Sequence, residues 1–371
     1  MEEVFVSERI EMREELRTAE EYKMQNDVKD FIPQGGKHCI TNSLKQIFSY
    51  YGHTLSEEMM FGLASGLSFL YLNQSSSPMV NGRIKVFDFE KKLADRLNIA
   101  IQCKSGSDYK KISQLSKDMI DQNKPVLIYV DMPYLSYLGL NKNSHFGGHA
   151  VVLFGYDDDQ EQFWISDRDN HDYPIRTPLG EIAEDYHLVS YQEMEQARSS
   201  THRPFPAKNK YLIIDFQGYK QVDRKILIQA IAETCDTMLN PPAKLLGING
   251  ILKFSKEILK WEKFTLDKLK LSGTTNYFQI SKDGGTGGGI FRKMYGDFLI
   301  EASAILDNKN IAMLGTDFLE VATQWDKIAE DLWQLSLSGN VSLLQKMSKE
   351  IMDIYCEEKN LYQSLQKNLT L

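Results

Sequence analysis

The chain has 371 residues, with 43 Lys and Arg against 51 Asp and Glu for a net charge of −8 at pH 7. It is too long for one small disulfide-stapled module and has no global positive field to collect nucleic acid. Hydrophobic residues at 42%, charged residues at 25%, 18 Phe, 18 Tyr and 4 Trp exclude a disordered chain and predict about two domains.

The longest apolar runs, Pro125–Tyr129 and Ala150–Phe154, fall well short of the ~20 residues of a membrane span, and no charged-then-apolar leader opens the chain. A cytoplasmic protein with no membrane or nucleic-acid partner is expected. Four widely separated cysteines, Cys39, Cys103, Cys235 and Cys356, form no zinc or redox spacing and fit a reducing compartment.

In chain order, the charged residues 7–25 predict a surface helix or arm. Pro33, Gly35 and Gly36 break helicity, after which Ile40, Leu44, Ile47, Phe48 and Tyr51 form one helical stripe ended by Gly52. A second helix should begin at Ser56, with Glu57 and Glu58 in its first turn. Phe87–Leu97 and Tyr109–Ile120 read as amphipathic helices, Ile99–Cys103 and Val126–Val130 as short strands. His149–Tyr156 and Gln162–Ser166 read as a hairpin turning through Asp157–Glu161, and Tyr211–Phe216 as a last strand. From about residue 217 only helices are predicted: Asp223–Leu239, Ile251–Leu271, Ile290–Leu306, Asp317–Leu335 and Ser342–Leu365. The fold class is therefore α+β, helices packed on an antiparallel sheet, followed by an all-helical domain. The expected division is an arm over 1–29, a catalytic domain over 30–218 and a helical domain over 219–371.

Cys39 follows a glycine loop at the first turn of a predicted helix, where unpaired N–H groups and the helix dipole favour a thiolate. The other three cysteines read as core or half-buried side chains. His149 opens one hairpin strand and Asp167 closes its partner, so the two should meet at one end of the ribbon, facing residues lying about 5 Å apart. Gly147 and Gly148 before the histidine leave room for another backbone to approach. A core histidine beside a turn-capping aspartate is the alternative. The order cysteine, histidine, aspartate favours a nucleophile, a base and the carboxylate that orients it.

The run His38-Cys39, Tyr51-Gly52, Leu55-Ser56-Glu57, Phe61-Gly62, Gly66 and Phe69-x-Tyr71, joined to Gly147-Gly148-His149-Ala150-Val151 and Asp167, resembles the N-terminal domain of butirosin biosynthesis protein H. The helical segment after residue 220, with Gly284-Gly-Thr-Gly-Gly288, Phe291-Arg292 and Phe298-Leu299, is similar to the uncharacterised domain that accompanies it. The resemblance covers about residues 30 to 365. It implies a papain-like fold and an acyl- or aminoacyltransferase of antibiotic or other specialised metabolism. Such an enzyme takes an acyl group from the phosphopantetheine thioester of an acyl carrier protein and passes it to a small-molecule amine. Cys39 would match the nucleophile, with His149 as base and Asp167 holding the imidazole tautomer. No tightly bound cofactor is implied, since the carrier supplies the phosphopantetheine. A cysteine peptidase or amidase, and a non-catalytic binding protein on the same fold, are the competing readings, and a homo-oligomer is left open.

Papain-like enzymes draw oxyanion stabilisation from a glutamine several residues before the cysteine and from the cysteine's own N–H. Gln34, five residues before Cys39, and Asn42 are the candidates. Gly284, Gly285, Thr286 and Gly287, with Arg292 in the following helix, are candidates for cradling the pantetheine phosphate; no Gly-Lys-Ser/Thr follows as in an ATP loop. Lys253, Lys256, Lys260 and Lys263, spaced 3, 4 and 3, would share a helix face and form a docking patch for an acidic carrier, or a merely solvated face. His145 and His149 have the spacing of a helical metal pair, but the glycines between them argue against a helix, so no metal site is expected. Asp157–Glu161 reads as a solvated turn rather than a calcium loop.

Overall fold

The computed structural model describes residues 26–203 and 205–369; the helix expected over 7–25 lies outside them. The first long element, α1 (Cys39–Tyr50), buries Ile40, Leu44, Ile47 and Phe48 on one face, as their spacing requires. Tyr51, expected on the same stripe, is instead the C-cap residue and is exposed. Ser56 caps α2 (Glu57–Leu63) by accepting the Met59 N–H, with Glu57 and Glu58 against the positive helix end.

A seven-stranded antiparallel sheet forms the floor. Its strands are β1 (Asn26–Asp27), β4 (Ala100–Lys104), β5 (Val126–Val130), β6 (His149–Asp157), β7 (Gln162–Ser166), β10 (His187–Ser190) and β11 (Tyr211–Asp215), ordered β10-β7-β6-β5-β11-β4, with β1 also on β6. Central β5 is buried along its whole length and β6 to within one residue of its end, which explains their unbroken Val/Leu/Ile character. Helices α3 (Asp88–Leu97), α4 (Tyr109–Asp121) and α5 (Tyr191–Ser199) flank the sheet. Helix α1 crosses β6, and that contact carries its first residue to the beginning of the strand.

Two hairpins escape the sequence reading: β2 (Leu67–Leu72) with β3 (Met79–Arg83), and β8 (Ile175–Thr177) with β9 (Gly180–Ile182). The first is held by partners far away in sequence. Tyr71 N–H donates to the Leu245 carbonyl, Val80 N–H to Asn276 Oδ1, and Asn276 Nδ2 to the Pro78 carbonyl. Its stabilisation is therefore largely tertiary, and local periodicity carries little of it.

After β11 the described chain continues through α6 (Arg224–Leu239), α7 (Gly247–Glu257), α8 (Leu266–Ile280), α9 (Arg292–Leu306), α10 (Lys309–Ser338) and α11 (Ser342–Leu369). The single helix expected over Ile251–Leu271 is broken. It becomes α7, a 3-10 segment over Ile258–Lys263 and α8, because Phe264 is extended and Thr265 caps the new helix by accepting the Lys268 N–H. The α9 helix also starts later than expected. Ile290 and Phe291 have φ of 49° and 71°, a left-handed conformation unfavourable for a β-branched residue.

One hydrophobic core runs through both regions. Phe61 stacks on Phe291 at 5.3 Å and Phe69 on Trp325 at 5.6 Å; Gly62 lies so close beneath the Phe298 ring that a Cβ would fall 2.1 Å from it. Arg292 and Glu358, both wholly buried, form a bidentate pair at 2.9 and 3.0 Å. Arg292 also donates to the Ser68 and Ile290 carbonyls, while Trp325 Nε1 donates to Glu358. Glu358→Gln leaves this buried guanidinium without its countercharge and should cost about 3–5 kcal/mol of stability. Denaturant unfolding measures it, and a loss below about 1 kcal/mol would show that the carbonyls alone compensate the charge.

Candidate active site

Three side chains far apart in sequence meet where α1 begins above the sheet. Cys39 is the first residue of α1, so its N–H has no intrahelical acceptor. The loop before it is held by the carboxylate of Glu57, which accepts the N–H groups of Lys37 (2.9 Å) and His38 (3.1 Å) and the Thr41 hydroxyl (2.7 Å). Lys37 also pairs with Glu58. Gly36 leaves room for Glu57 and Asn42, since a Cβ there would meet their oxygens at 2.3 and 2.5 Å.

His149 begins β6 opposite Val130, and Asp167 follows the last paired residue of β7, Ser166, which faces Val152. Asp167 thus comes level with Val151 and reaches His149 diagonally on the same face of the sheet, rather than straight across. His149 Nε2 lies 2.7 Å from Asp167 Oδ2, and a side-chain hydrogen bond joins His149 to Cys39; the ring nitrogen left for the sulfur is Nδ1. Cys39, His149 and Asp167 are 9%, 4% and 2% exposed. Asp167 is held from every side. Its Oδ1 accepts the Arg168 N–H at 2.7 Å, and its Oδ2 accepts the Tyr137 hydroxyl at 2.8 Å as well as bonding His149.

Burial pushes the Cys39 thiol up, but the hydrogen bond and charge of His149, the Ala150 N–H and the Arg83 guanidinium outweigh it and hold the thiol below its ordinary value. For His149, burial works against the proton, yet Asp167 and Cys39 raise the imidazole to about 10. Burial likewise opposes ionisation of Asp167, which His149, Tyr137 and Arg168 nevertheless keep below the usual carboxylate range. Between the lowered Cys39 value and about pH 10 the groups form a thiolate–imidazolium pair backed by a carboxylate, the arrangement that makes a cysteine nucleophilic. Neighbouring His38 is the opposite case: burial, then Arg83, Arg168 and His149, drive it well below its ordinary value and leave it neutral. Its ring meets Phe291 edge-on at 5.3 Å.

The two oxyanion candidates differ. Asn42 Nδ2 donates to the carbonyls of Gln34 (2.8 Å) and Asp167 (3.1 Å), and its remaining buried polar atom, Oδ1, is an acceptor without a partner. The expected oxyanion role for Asn42 is thereby corrected: flanked by two carbonyls, its nitrogen has no free N–H, and an acceptor oxygen cannot stabilise an oxyanion. Gln34 is pinned through its backbone, N–H to Gln46 Oε1 at 3.1 Å and carbonyl to Asn42, with its side chain half-buried.

The glycine tract comes to the edge of this site. Arg168 Nη2 donates to the Asp283 carbonyl at 2.8 Å; a Cβ on Gly285 would lie 3.5 Å from Arg168 Nε, and one on Gly287 would fall 2.6 Å from Met294 Cγ and 3.6 Å from Lys37 Cβ. It is a wall more than the expected phosphate cradle. The N–H groups of Gly284 and Gly285 close 3-10 turns, that of Gly288 donates to Thr286 Oγ1 and that of Gly289 to the Asp326 carboxylate, while the Thr286 hydroxyl donates to Ile280 and Ser281. Arg292, expected at its ligand face, is instead buried against Glu358; a guanidinium already paired and wholly desolvated does not reach a solvent-borne phosphate.

The four lysines do not share one helix face. Lys253 and Lys256 lie on α7, whereas Lys260 and Lys263 fall in the 3-10 segment, Lys260 paired with Glu257 at 2.6 Å. With Lys244, Asn249, Leu252 and Glu257, Lys253 and Lys256 line an open groove of about 450 Å³. Gly147 does receive another backbone, that of Phe205–Ala207, whose atoms lie 2.4–3.0 Å from where its Cβ would be. Its neighbour is thus the protein's own chain and not a ligand. His145 bonds the buried Asp131 at 2.9 Å. Sequence reasoning missed Glu57 as the loop anchor and Tyr137 as a partner of Asp167. Glu57 had a visible signal as a helix-start acid, whereas Tyr137 lies in an irregular connection with none.

The fold and this cluster define a class: an α+β region holding a buried cysteine, histidine and aspartate, walled by a helical region that shares its core. Residues 38–168 match the family described as butirosin biosynthesis protein H, N-terminal, and residues 192–365 match Domain of unknown function (DUF4872). The chain has the two-part architecture of the butirosin biosynthesis protein H family, a family linked to making the antibiotic butirosin. The first match runs from His38 to Arg168 and so brackets Cys39, His149 and Asp167. No curated protein matches the chain. No helix among the described residues is long and apolar enough to cross a membrane.

The pKa directions fix a pH window. The thiolate should exist above a lowered Cys39 value and the imidazolium should persist until about pH 10. Iodoacetamide should therefore label Cys39 at lower pH than Cys103 and Cys235, whose thiols burial pushes up, Cys235 to about 12. Site-mapped mass spectrometry across pH reads this directly, and Cys39 labelling at no lower pH than Cys103 would dismiss the ion pair.

Proposed function

We propose that the protein is a cysteine-dependent acyl- or aminoacyltransferase that moves an acyl group from a carrier-bound phosphopantetheine thioester to a small-molecule amine. The observation that carries this reading is the buried Cys39–His149–Asp167 cluster walled by the glycine tract of the second region. In the first half-reaction the Cys39 thiolate attacks the thioester carbonyl. The pantetheine sulfur leaves and takes the proton of the His149 imidazolium, giving an acyl-cysteine and a neutral imidazole. The amine then attacks the acyl-cysteine, His149 accepts its proton, and the amide leaves with Cys39 regenerated as thiolate beside imidazolium. The arrangement suits a papain-like mechanism, with Asp167 fixing the tautomer that presents Nδ1 to the sulfur. The Cys39 N–H at the helix start and the Gln34 amide are the proposed oxyanion donors.

Transfer is favoured over hydrolysis because a covered nucleophile lets a bound amine compete against bulk water. A peptidase or amidase would share the acyl-enzyme and differ only in the acceptor. The groove lined by Lys244, Lys253 and Lys256 is the proposed landing site for an acidic carrier.

Cys39→Ala should abolish acyl-enzyme formation from carrier thioesters while leaving the melting temperature in place, and Asp167→Asn should lower turnover by about 10³–10⁴-fold through the wrong tautomer. Intact-mass detection of the acyl-enzyme checks both, and retained acylation of the alanine variant would end the nucleophile assignment. Lys253→Glu with Lys256→Glu should raise KM for a carrier-bound thioester about ten-fold without changing it for a free pantetheine thioester; an equal loss with both would rule out docking there.

A further inference from the structure

A second buried histidine–aspartate pair lies beside the first. His187 Nε2, on β10, meets both oxygens of Asp169, at 2.8 and 3.0 Å, and Asp169 Oδ2 also accepts the Glu184 N–H at 3.1 Å. Both residues are buried. The His187 imidazole lies flat on the Tyr137 ring, centroids 3.7 Å apart and planes 6° from parallel. The Tyr137 hydroxyl donates to Asp167 Oδ2 at 2.8 Å, the same oxygen that lies 2.7 Å from His149 Nε2.

Tyr137 sits in a short 3-10 turn, Ser136–Leu138, within the irregular connection from β5 to β6. A loop residue holds a catalytic carboxylate in place only if its own ring is supported from the side. The His187 stack supplies that support, and Asp169 fixes the histidine. Burial, then the Asp167 and Asp169 carboxylates, keep the phenol protonated well above its ordinary range, so it remains a donor.

We propose that Tyr137 is a positioning residue for the Cys39–His149–Asp167 site, locking the rotation of the Asp167 carboxylate, with the His187–Asp169 pair as the splint for its ring. The proposal rests on the cysteine-nucleophile reading above. Asp167 faces His149 from β6, Tyr137 from the connection and Arg168 from its own segment; Tyr137 also feels Asp169 and Arg168, and Cys39 feels His149 and Arg83. When the hydroxyl is removed the carboxylate is free to turn. The imidazolium then loses part of its countercharge, and the thiolate paired with it loses stabilisation in turn.

The test is Tyr137→Phe, which deletes one hydroxyl and keeps the stacked ring. The acid limb of Cys39 alkylation should move up by about half a pH unit or more. Acyl-enzyme formation at saturating pantetheine thioester should slow about ten-fold with KM unchanged, and thermal unfolding should stay one cooperative transition within several degrees of the parent. An alkylation profile and acylation rate that superimpose on those of the parent would overturn the positioning role. The nucleophile reading fails separately, in the unmutated protein, if Cys39 labels at no lower pH than Cys103.

Discussion

The site depends on one buried carboxylate that takes no part in the chemistry. Glu57 accepts the N–H groups of Lys37 and His38 and the hydroxyl of Thr41, so it fixes the last turn of loop and the first turn of α1 together. Without it those N–H groups would be buried without acceptors, at about 1–3 kcal/mol each. The position of Cys39 follows from that anchoring, because the residue between two fixed segments has little freedom left. Burial raises Glu57 above its ordinary value, opposed by Lys45, Thr41 and the two backbone donors. The carboxylate is held in the interior by what it organises.

The sheet contributes the other half by register. Val130 opposite His149 and Val152 opposite Ser166 bring the histidine and Asp167 to one end of the sheet, and the α1–β6 contact brings Cys39 to that same end. The electrostatics then reinforce the geometry. His149 opposes its own desolvation through both Asp167 and Cys39, and each of those two opposes its own through His149.

Much of this was legible in the sequence, for reasons that are local. The α1 stripe, the Ser56 cap, the β5 run and the β6–β7 hairpin are written in spacings of 3.6 and 2 within a dozen residues, and they place Cys39, His149 and Asp167 at the ends of elements. What was not legible depends on distant partners. The β2–β3 hairpin draws its hydrogen bonds from Leu245 and Asn276, and nothing between residues 67 and 83 announces them. Arg292 looked like a first-turn ligand for phosphate until Glu358, 66 residues on, claimed it. The glycine tract read as a cradle because spacing cannot show that Asp326 and Thr286 already bond its N–H groups. The break at Thr265 was a missed cap, a local signal overridden by an apolar pattern that continued across it.

Arg168 ties the two regions to each other at the cluster. Its carbonyl accepts the Gly36 N–H of the loop before the cysteine, its own N–H holds Asp167, and its guanidinium grips the Asp283 carbonyl in the helical region. Three segments separated by more than a hundred residues thus share one residue, beside the buried cluster. Parting the helical half from the sheet half would strip a wall from the cleft and turn Phe61, Phe69 and Tyr71, now fully enclosed, toward water. The α+β half therefore does not close its own core without the helical half. The Cys39–His149–Asp167 cluster and its cover are held together by one core and one shared residue.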